Sequence, residues 1–255
     1  MSNEFFILMR GELVITFIIF FLLFIKLGSG WKNESLLTVV YLLLLGATVT
    51  PFFGDQTGQL FAGSFYSSPL LCFQKALLTG STLLLLVLNH SWLKQQNHLA
   101  EFLMLLLSAL LGMFLMISSG NLLMFYLSLE LATLPVAALA NFDLDKKRSG
   151  EAAMKMIFSS AFSSGILLFG ISLLYGASGV TGFAQLSVAI RAGDAFALLG
   201  FVLFLAGLAF KLSVVPFHLW TADVYEGSPV AVSGFLSVIS KAAIAFIFIT
   251  LLYRV

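Results

Sequence analysis

Charged residues are scarce in this sequence. Only 10% of its 255 residues are Asp, Glu, Lys or Arg, whereas soluble domains carry about 25%. Apolar residues make up 60% of the chain, and the mean hydropathy is +1.05. A globular domain with so few charges would expose a largely apolar surface to water. The composition therefore indicates an integral membrane protein.

Cysteine and net charge are also low, which excludes several kinds of site. The single Cys72 rules out an internal disulfide and a cysteine-rich metal or iron–sulfur site. The formal net charge of +1 provides no basic surface for nucleic acid. The sequence has no nucleotide-binding glycine fingerprint, no nucleophile elbow and no metal-ligand spacing. We therefore expect no cofactor, no metal and no nucleic acid on this chain.

Long apolar runs predict an all-α polytopic membrane protein. The runs are about 20 residues long, which is the length that a helix needs to cross a bilayer. A tight turn is expected at 118–121, because residues 101–141 would otherwise form one helix of twice that length. The predicted spans, eight in number, lie near residues 9–27, 34–53, 69–89, 101–118, 121–141, 151–175, 195–219 and 229–253.

The orientation follows from the positive charges between the spans. When successive loops alternate sides, one face collects most of the basic residues, above all the run Lys146, Lys147 and Arg148. Loops that are rich in Lys and Arg stay in the cytoplasm. The sequence therefore predicts that this face is cytoplasmic and that the N-terminus lies outside, in the periplasm.

Three charged residues lie deep inside predicted spans: Glu130 in the fifth, Lys211 in the seventh and Lys241 in the eighth. A charge at the centre of a bilayer costs about 2.5–3.5 kcal/mol on insertion scales. Such residues usually mark the path of an ion or a proton. The alternative is a buried Glu–Lys pair that only locks helices together.

A proline follows two of these charges at the same distance. Pro135 lies five residues after Glu130, and Pro216 lies five residues after Lys211. Proline inside a helix leaves the carbonyl four residues earlier without its partner, so we expect a kink or break beside each charge. His218, two residues beyond Pro216, is compatible with a proton relay and with a helix cap.

Other polar residues have simpler interpretations. Lys75 is expected near the outer end of the third span, where its long side chain reaches the interface. Glu151 and Lys155 have the i,i+4 spacing of a surface ion pair on a helix. The small residues of 159–165 predict close helix packing. Residues 59–68 are amphiphilic and are expected along the membrane interface.

The segment GLAFKLSVVPFHLWTADVYEGSPVAVSGFLSVISK, residues 207–241, resembles the signature of the antiporter-like membrane subunits of respiratory complex I. Mrp-type cation/proton antiporters and membrane-bound hydrogenases contain related subunits. LSLELATLPVAALANF and KKRSGEAAMKMIFSSAFSSGILLFGISLLYG resemble the N-subunit branch of NADH-quinone oxidoreductases in particular. The resemblance runs from about Leu103 to the C-terminus, and residues 1–100 match only in hydropathy.

The resemblance implies a fold and roles for single residues. Three leading helices, residues 1–100, would precede one antiporter-type repeat of five helices, residues 101–255, with a broken seventh helix. Glu130 would pair with Lys211, Lys241 would pass protons onward, and His218 would act as a relay. Family members carry a second, inverted repeat. Its absence implies a fragment, a truncated reading frame or a product whose other half is encoded elsewhere.

The resemblance also implies a function. The chain would be a membrane subunit of a translocase that couples quinone reduction by NADH to proton translocation across the bacterial inner membrane. NADH, FMN, iron–sulfur clusters and quinone would bind partner subunits, and this chain would contact the bilayer and other membrane subunits of complex I. The alternatives are a subunit of an Mrp-type antiporter or membrane-bound hydrogenase, and a non-conducting scaffold.

Overall fold

The fold is built almost entirely from helices, which confirms the all-α prediction. The computed structural model describes residues 2–28, 31–53, 57–144, 146–183, 185–186, 190 and 194–254. Its helices are α1 (Ser2–Leu8), α2 (Arg10–Leu27), α3 (Asn33–Val49), α4 (Pro69–Leu88), α5 (His90–Lys94), α6 (Leu99–Ile117), α7 (Leu122–Ala140), α8 (Lys147–Ser178), α9 (Ala195–Leu212), α10 (Leu219–Gly227), α11 (Val230–Gly234) and α12 (Lys241–Arg254). A 3₁₀ turn (Thr50–Phe52), a π-helical segment (Phe235–Ser240) and two short strands, β1 (Gly58–Leu60) and β2 (Phe65–Ser67), complete these elements.

In the part of the chain that the structure describes, seven helices are long and apolar enough to cross a membrane. The chain is thus a multi-pass membrane protein. The first predicted span corresponds to α2, which is not among the seven because it carries Arg10, Glu12 and Lys26 within its 18 residues. The seven are Asn33–Phe52, Pro69–Leu88, Leu99–Ile117, Leu122–Ala140, Lys147–Ser178, Ala195–Leu212 and Val230–Leu252.

The seventh predicted helix is broken, but the break precedes the proline. Helix α9 ends at Leu212, and Ser213 has a left-handed backbone with φ of +60°. Pro216 lies beyond this point in a turn, so the expectation that it interrupts a continuous helix is wrong. The chain then forms the short helix α10, and the indole of Trp220 donates a hydrogen bond of 3.3 Å to the carbonyl of Phe210.

Pro135 behaves differently, because α7 continues through it from Leu122 to Ala140. The shared five-residue spacing of the two prolines therefore does not produce the same backbone. In α7 the proline removes one intrahelical hydrogen bond, whereas Pro216 lies outside any helix.

The last span is irregular at its middle. α11 leads into the π-helical segment Phe235–Ser240, and α12 begins at Lys241. Single turns of π-helix are rare and occur mostly at functional sites. The irregularity therefore adjoins one of the three charges that the sequence singles out.

The structure confirms the predicted turn between α6 and α7, and the β-hairpin covers this turn. The backbone N–H of Tyr66 donates to the carbonyl of Ser118 at 2.8 Å, and that of Gly120 donates to Ser64 at 2.7 Å. Residues 59–68 were expected along the membrane interface. They form this hairpin and the loop of residues 61–64 within it, because pairing with the turn satisfies their backbone groups.

Contacts at the opposite end of the helices join the remaining loops. Lys26 pairs with Glu101 at 2.6 Å, and the amide of Asn33 donates to the carbonyl of Lys94 at 3.0 Å. The hairpin and the α6–α7 turn thus share one end of the bundle, while the starts of α3 and α6 share the other. This arrangement matches the alternation of loops that the orientation prediction assumes.

Helices α8 and α9 pack very closely. A Cβ atom at Gly170 would lie 2.6 Å from the backbone nitrogen of Phe204, so only glycine fits at this crossing. The hydroxyl of Ser163 donates a 3.0 Å hydrogen bond to the carbonyl of Gly207 across the same interface. Small residues let membrane helices approach in this way, as the band at 159–165 predicts.

Candidate proton-transfer site

Glu130 lies midway along α7, and its side chain faces α8. The hydroxyl of Ser164 donates a hydrogen bond of 2.5 Å to Glu130 Oε1. A carboxyl oxygen is an acceptor for a hydroxyl donor, so the serine provides a polar partner inside the bundle. One turn of α8 therefore supplies the partner of the carboxylate.

Lys211 lies near the end of α9, just before the break, and is only 7% exposed. Its Nζ donates a hydrogen bond of 2.6 Å to the hydroxyl of Ser160. Among the described residues, Lys211 and Glu130 do not form the direct ion pair that the resemblance implies. Each charged group instead has a serine of α8 as its hydrogen-bond partner, since a hydroxyl can both donate and accept.

Lys211 and Lys241 line one cavity at the centre of the last four spans. The centres of water molecules can occupy a volume of about 30 Å³ in this cavity. A volume of about 10–15 Å³, measured in the same way, is enough for one water molecule. The cavity therefore has room for about two water molecules between the lysines. Its polar lining includes Thr133, Ser159 and Ser240.

Tyr225, on the short helix α10, forms one wall of this cavity. The Nζ of Lys241 lies 5.4 Å from the centroid of the Tyr225 ring, within the range of a cation–π contact. Burial raises the pKa of Tyr225 to about 12, because a phenolate loses its hydration there. The tyrosine is thus a neutral wall that favours a positive charge on its face.

His218 lies apart from the cavity lining. It is the N-cap residue of α10, and its backbone carbonyl accepts a hydrogen bond of 3.1 Å from the N–H of Thr221. Its side chain is exposed and makes no capping hydrogen bond, so the helix-cap interpretation holds for the backbone and not for the imidazole.

A polar cleft lies beside the cavity, between α8 and α10. Lys155 pairs with Glu151 at 2.6 Å, as the sequence predicts, and also with Asp223 on α10 at 2.7 Å. The cleft has a volume of about 140 Å³ and includes the Arg148–Glu226 pair. Met156 and Ser159, the next turn of α8, line the inner cavity. The two spaces therefore follow one another along the same pair of helices.

A buried ion pair lies outside this site. Lys75 on α4 and Glu12 on α2 are in contact at 2.5 Å, with 2% and 3% of their side chains exposed. The Nζ of Lys75 also lies 5.1 Å from the ring centroid of Phe65 in the hairpin. The expectation that Lys75 reaches the interface is wrong, because the hairpin and α2 enclose it.

Sequence reasoning found the charges but missed their partners. Ser160 and Ser164 are inconspicuous among six neighbouring small residues, and Tyr225 has no distinguishing spacing. No spacing in the sequence distinguishes them, since Ser159 and Ser163 have the same i,i+4 relation. In the described ranges no group of three or more His, Cys, Asp or Glu side chains is placed to hold a metal ion.

Known proteins resemble this chain over most of its length. It is 42% identical over 254 residues to NADH-quinone oxidoreductase subunit N of Phocaeicola vulgatus, covering 97% of this chain and 53% of that relative. The subunit N of Pelagibacter ubique is 40% identical, with 99% of this chain and 54% of the relative covered. The chain thus spans about half the length of the curated relatives it matches. The resemblance includes the leading helices, so the expectation that it begins near Leu103 is wrong.

Solved structures share the fold. A chain of respiratory complex I from Thermus thermophilus with bound aureothin has a TM-score of 0.78 and 27% identity, covering 93% of this chain and 52% of that one. A chain of the Mrp complex from Dietzia sp. DQ12-45-1b, at 23% identity, has a TM-score of 0.71 and covers 97% and 49%. Residues 119–255, more than half of the sequence, match the family described as NADH:quinone oxidoreductase/Mrp antiporter, TM, and the chain therefore belongs to that family.

Proposed function

We propose that this chain acts as a membrane subunit of an NADH-quinone oxidoreductase, which couples quinone reduction to proton translocation, and that it carries a proton path. The observation that carries the proposal is the cavity shared by Lys211 and Lys241. Burying two lysines around one small polar space inside a membrane protein costs free energy, and such residues usually mark the path of an ion or a proton. The relatives named NADH-quinone oxidoreductase subunit N support the identity of the complex.

In this proposal the proton moves between three side chains. Glu130 exchanges a proton at its carboxylate, Lys211 carries one at Nζ, and Lys241 receives it across the cavity. Water in the cavity, bonded to the serine and threonine hydroxyls of the lining, supplies the connection. His218, exposed at the end of the broken helix, exchanges protons with solvent.

The chain performs no redox chemistry in this scheme. NADH, FMN, iron–sulfur clusters and quinone bind partner subunits, and quinone reduction acts on this chain by shifting the position of its buried charges. Its partners are other membrane subunits of complex I and the lipid bilayer. We assign residues 1–100 to leading helices and 101–255 to one antiporter-type repeat. The membrane is the bacterial inner membrane, with the N-terminus in the periplasm.

The test is the variant Glu130→Gln in the assembled complex. We expect proton uptake by inverted membrane vesicles to fall to the background level, while the subunit content stays normal. Gln keeps the size of the side chain and its bond with Ser164 but cannot accept a proton. Normal proton uptake in vesicles with normal subunit content would overturn the proposal and favour a scaffold.

The orientation has its own test. Gln59, on the exposed hairpin, and Lys147, at the exposed start of α8, lie at opposite ends of the bundle. Cysteines at these positions, with the buried Cys72 replaced by serine, report which end faces outward. An impermeant maleimide should label intact cells at position 59 and not at 147, and the reverse pattern contradicts the orientation.

The fold alone is shared with Mrp-type complexes, so the identity of the assembly needs a biochemical test. Complex I membership predicts that the chain co-purifies with flavin-containing and iron–sulfur subunits. Co-purification with membrane subunits only, together with sodium-dependent proton exchange, would place the chain in an antiporter.

A further inference from the structure

Two serines on one face of α8 are the hydrogen-bond partners of Glu130 and Lys211. Ser160 and Ser164 are one helical turn apart, so their side chains project in the same direction. Ser160 accepts the hydrogen bond of Lys211, and Ser164 donates to Glu130. Ser163, between them in sequence, points to α9 and bonds the carbonyl of Gly207.

These serines differ from the usual hydroxyl groups of this protein. Inside membrane helices, Ser and Thr commonly bond the carbonyl four residues earlier in their own helix. Ser108, Ser128 and Ser159 do so here. Ser160 and Ser164 instead bond ionisable side chains of two other helices. Their hydroxyl groups therefore bond the ionisable side chains and not the backbone of their own helix.

A buried charge needs a polar partner, and the serines offer one that carries no charge of its own. Without them Lys211 would need another polar partner, and the alternative is a direct ion pair with the carboxylate of Glu130. Such a pair holds its proton on the lysine more firmly than a hydroxyl contact does, because the opposite charges attract. The hydroxyls thus leave Lys211 free to release its proton to the cavity.

We propose that Ser160 and Ser164 are positioning residues that keep Lys211 and Glu130 in a separated state, from which the proton of Lys211 passes towards Lys241. This inference rests on the proposed function, since it concerns the same path. It adds a specific requirement, which is that each charge needs its hydroxyl partner. The separated state competes with a direct Lys211–Glu130 pair, and the serines set the balance.

The experiment compares alanine variants on one helix. Ser160→Ala, Ser164→Ala and the double variant are tested in the intact complex in inverted vesicles, with quinone reduction and proton uptake recorded together. A hydrogen bond to a charged group contributes about tenfold or more to an equilibrium constant. We expect proton uptake per quinone reduced to fall about tenfold or more in each single variant.

Ser163→Ala is the matched control, because it removes a hydroxyl three residues from Ser160 that contacts neither charge. It should lower thermal stability while leaving the uptake ratio unchanged. Ser160→Thr and Ser164→Thr keep the hydroxyl and should restore the ratio. Recovery by threonine separates a lost hydrogen bond from a general loosening of α8, which threonine would not repair.

Every outcome is decisive when Glu130→Gln is measured in parallel. Loss in Glu130→Gln and in both alanine variants, with recovery by threonine, supports the inference. Loss in Glu130→Gln with normal uptake in Ser160→Ala and Ser164→Ala overturns the inference and leaves the proposed function intact. Normal uptake in Glu130→Gln overturns the proposed function itself. Equal loss in Ser163→Ala overturns the inference, because packing alone would then explain the effect.

Discussion

In the leading helices Lys75 and Glu12 touch directly, whereas in residues 119–255 Lys211 and Glu130 each contact a serine. Both lysines are buried. The first pair is sealed under the ring of Phe65. The second lysine opens onto a cavity that holds another lysine. Burial alone thus does not distinguish a charged group in a closed ion pair from one that lines a cavity.

The two regions differ in whether each ionisable group keeps a hydrogen-bond partner when its protonation state changes. A closed contact pair favours the ionised form of both partners, because opposite charges attract. A carboxylate and an ammonium that rest on hydroxyls keep a partner in either protonation state, because a hydroxyl both donates and accepts. The leading pair fits a structural lock, and the second arrangement fits proton transfer.

Lys75→Met breaks the sealed pair and should have the largest effect on stability. It leaves Glu12 buried, with Oε1 unpaired and with Oε2 lacking a partner in the described part of the chain. Removing one member of a buried ion pair costs about 3–5 kcal/mol. We expect little of the subunit to accumulate in membranes, as measured by immunoblot and by thermal unfolding of the purified complex.

The double variant Glu12→Gln with Lys75→Met serves as its control. Replacing both partners removes the orphaned charge, so most of the stability should return. Proton uptake should also be normal in this double variant. A double variant that is as unstable as Lys75→Met would show that the helices need the lysine for packing and not for its charge.

Lys211→Met should cost less stability than Lys75→Met. Glu130 keeps its bond with Ser164, and Ser160 is a neutral group that can turn to its own helix backbone. A hydrogen bond to a charged group contributes about 1.5–3 kcal/mol net, so we expect a loss within that range. Proton uptake should fall to background. Equal instability of the two lysine variants would erase the distinction between the regions.

The sequence locates the charges inside the spans of the second region but does not show how they are arranged. Hydropathy places Glu130, Lys211 and Lys241 at membrane depth without a structure, because composition and span length suffice. The choice of Ser160 and Ser164 depends on the rotation of α8 about its axis, which tertiary packing sets. The burial of Lys75 depends on the hairpin above it. Neither can be read from local periodicity.

The position of the helix break shows the same limit. The spacing of Pro216 from Lys211 suggests a proline inside a helix, but the helix ends earlier at Leu212. The packing of α10 back onto the end of α9 accompanies that stop, through the bond of Trp220 to the carbonyl of Phe210. Long-range contacts of this kind have no signature in the residues around the proline.

Lys155→Gln tests whether distance or burial makes an ion pair strong. Lys155 lies 2.6 Å from Glu151 and 2.7 Å from Asp223, almost as close as Lys75 to Glu12, yet its side chain is 41% exposed. Water and salt screen exposed pairs. We expect a smaller loss of thermal stability than for Lys211→Met, and no loss in about 1 M salt, where the Debye length is about 3 Å.

Lys94→Gln provides the matched control for Lys155→Gln. Lys94 pairs with Glu34 at 3.0 Å and is similarly exposed, but it has one carboxylate partner instead of two. Its loss should be close to zero at any salt concentration. A salt-independent loss in Lys155→Gln would mean that the cleft between α8 and α10 is sealed as tightly as the leading pair.

Tyr225→Phe should have the smallest effect of all at neutral pH. The hydroxyl of Tyr225 has no hydrogen-bond partner among the described residues, and the ring that faces Lys241 is kept. Removing a buried hydroxyl without a partner is neutral or slightly stabilising. Proton uptake should be unchanged. Tyr225→Ala, which removes the ring as well, should reduce uptake by taking away the cation–π surface.

The difference between Tyr225 and phenylalanine should emerge only at alkaline pH. An unfolded tyrosine ionises near pH 10, whereas burial raises the pKa of Tyr225 in the folded chain to about 12. Between these values the unfolded state loses a proton that the folded state keeps, so stability falls as the pH rises. Below pH 10 both states are protonated and the residue adds no pH dependence. The melting temperature of the native complex should therefore fall more steeply between pH 10 and 12 than that of Tyr225→Phe. Parallel curves would show that the phenol is open to water, and the cavity would then lack the closed wall that separates Lys241 from solvent.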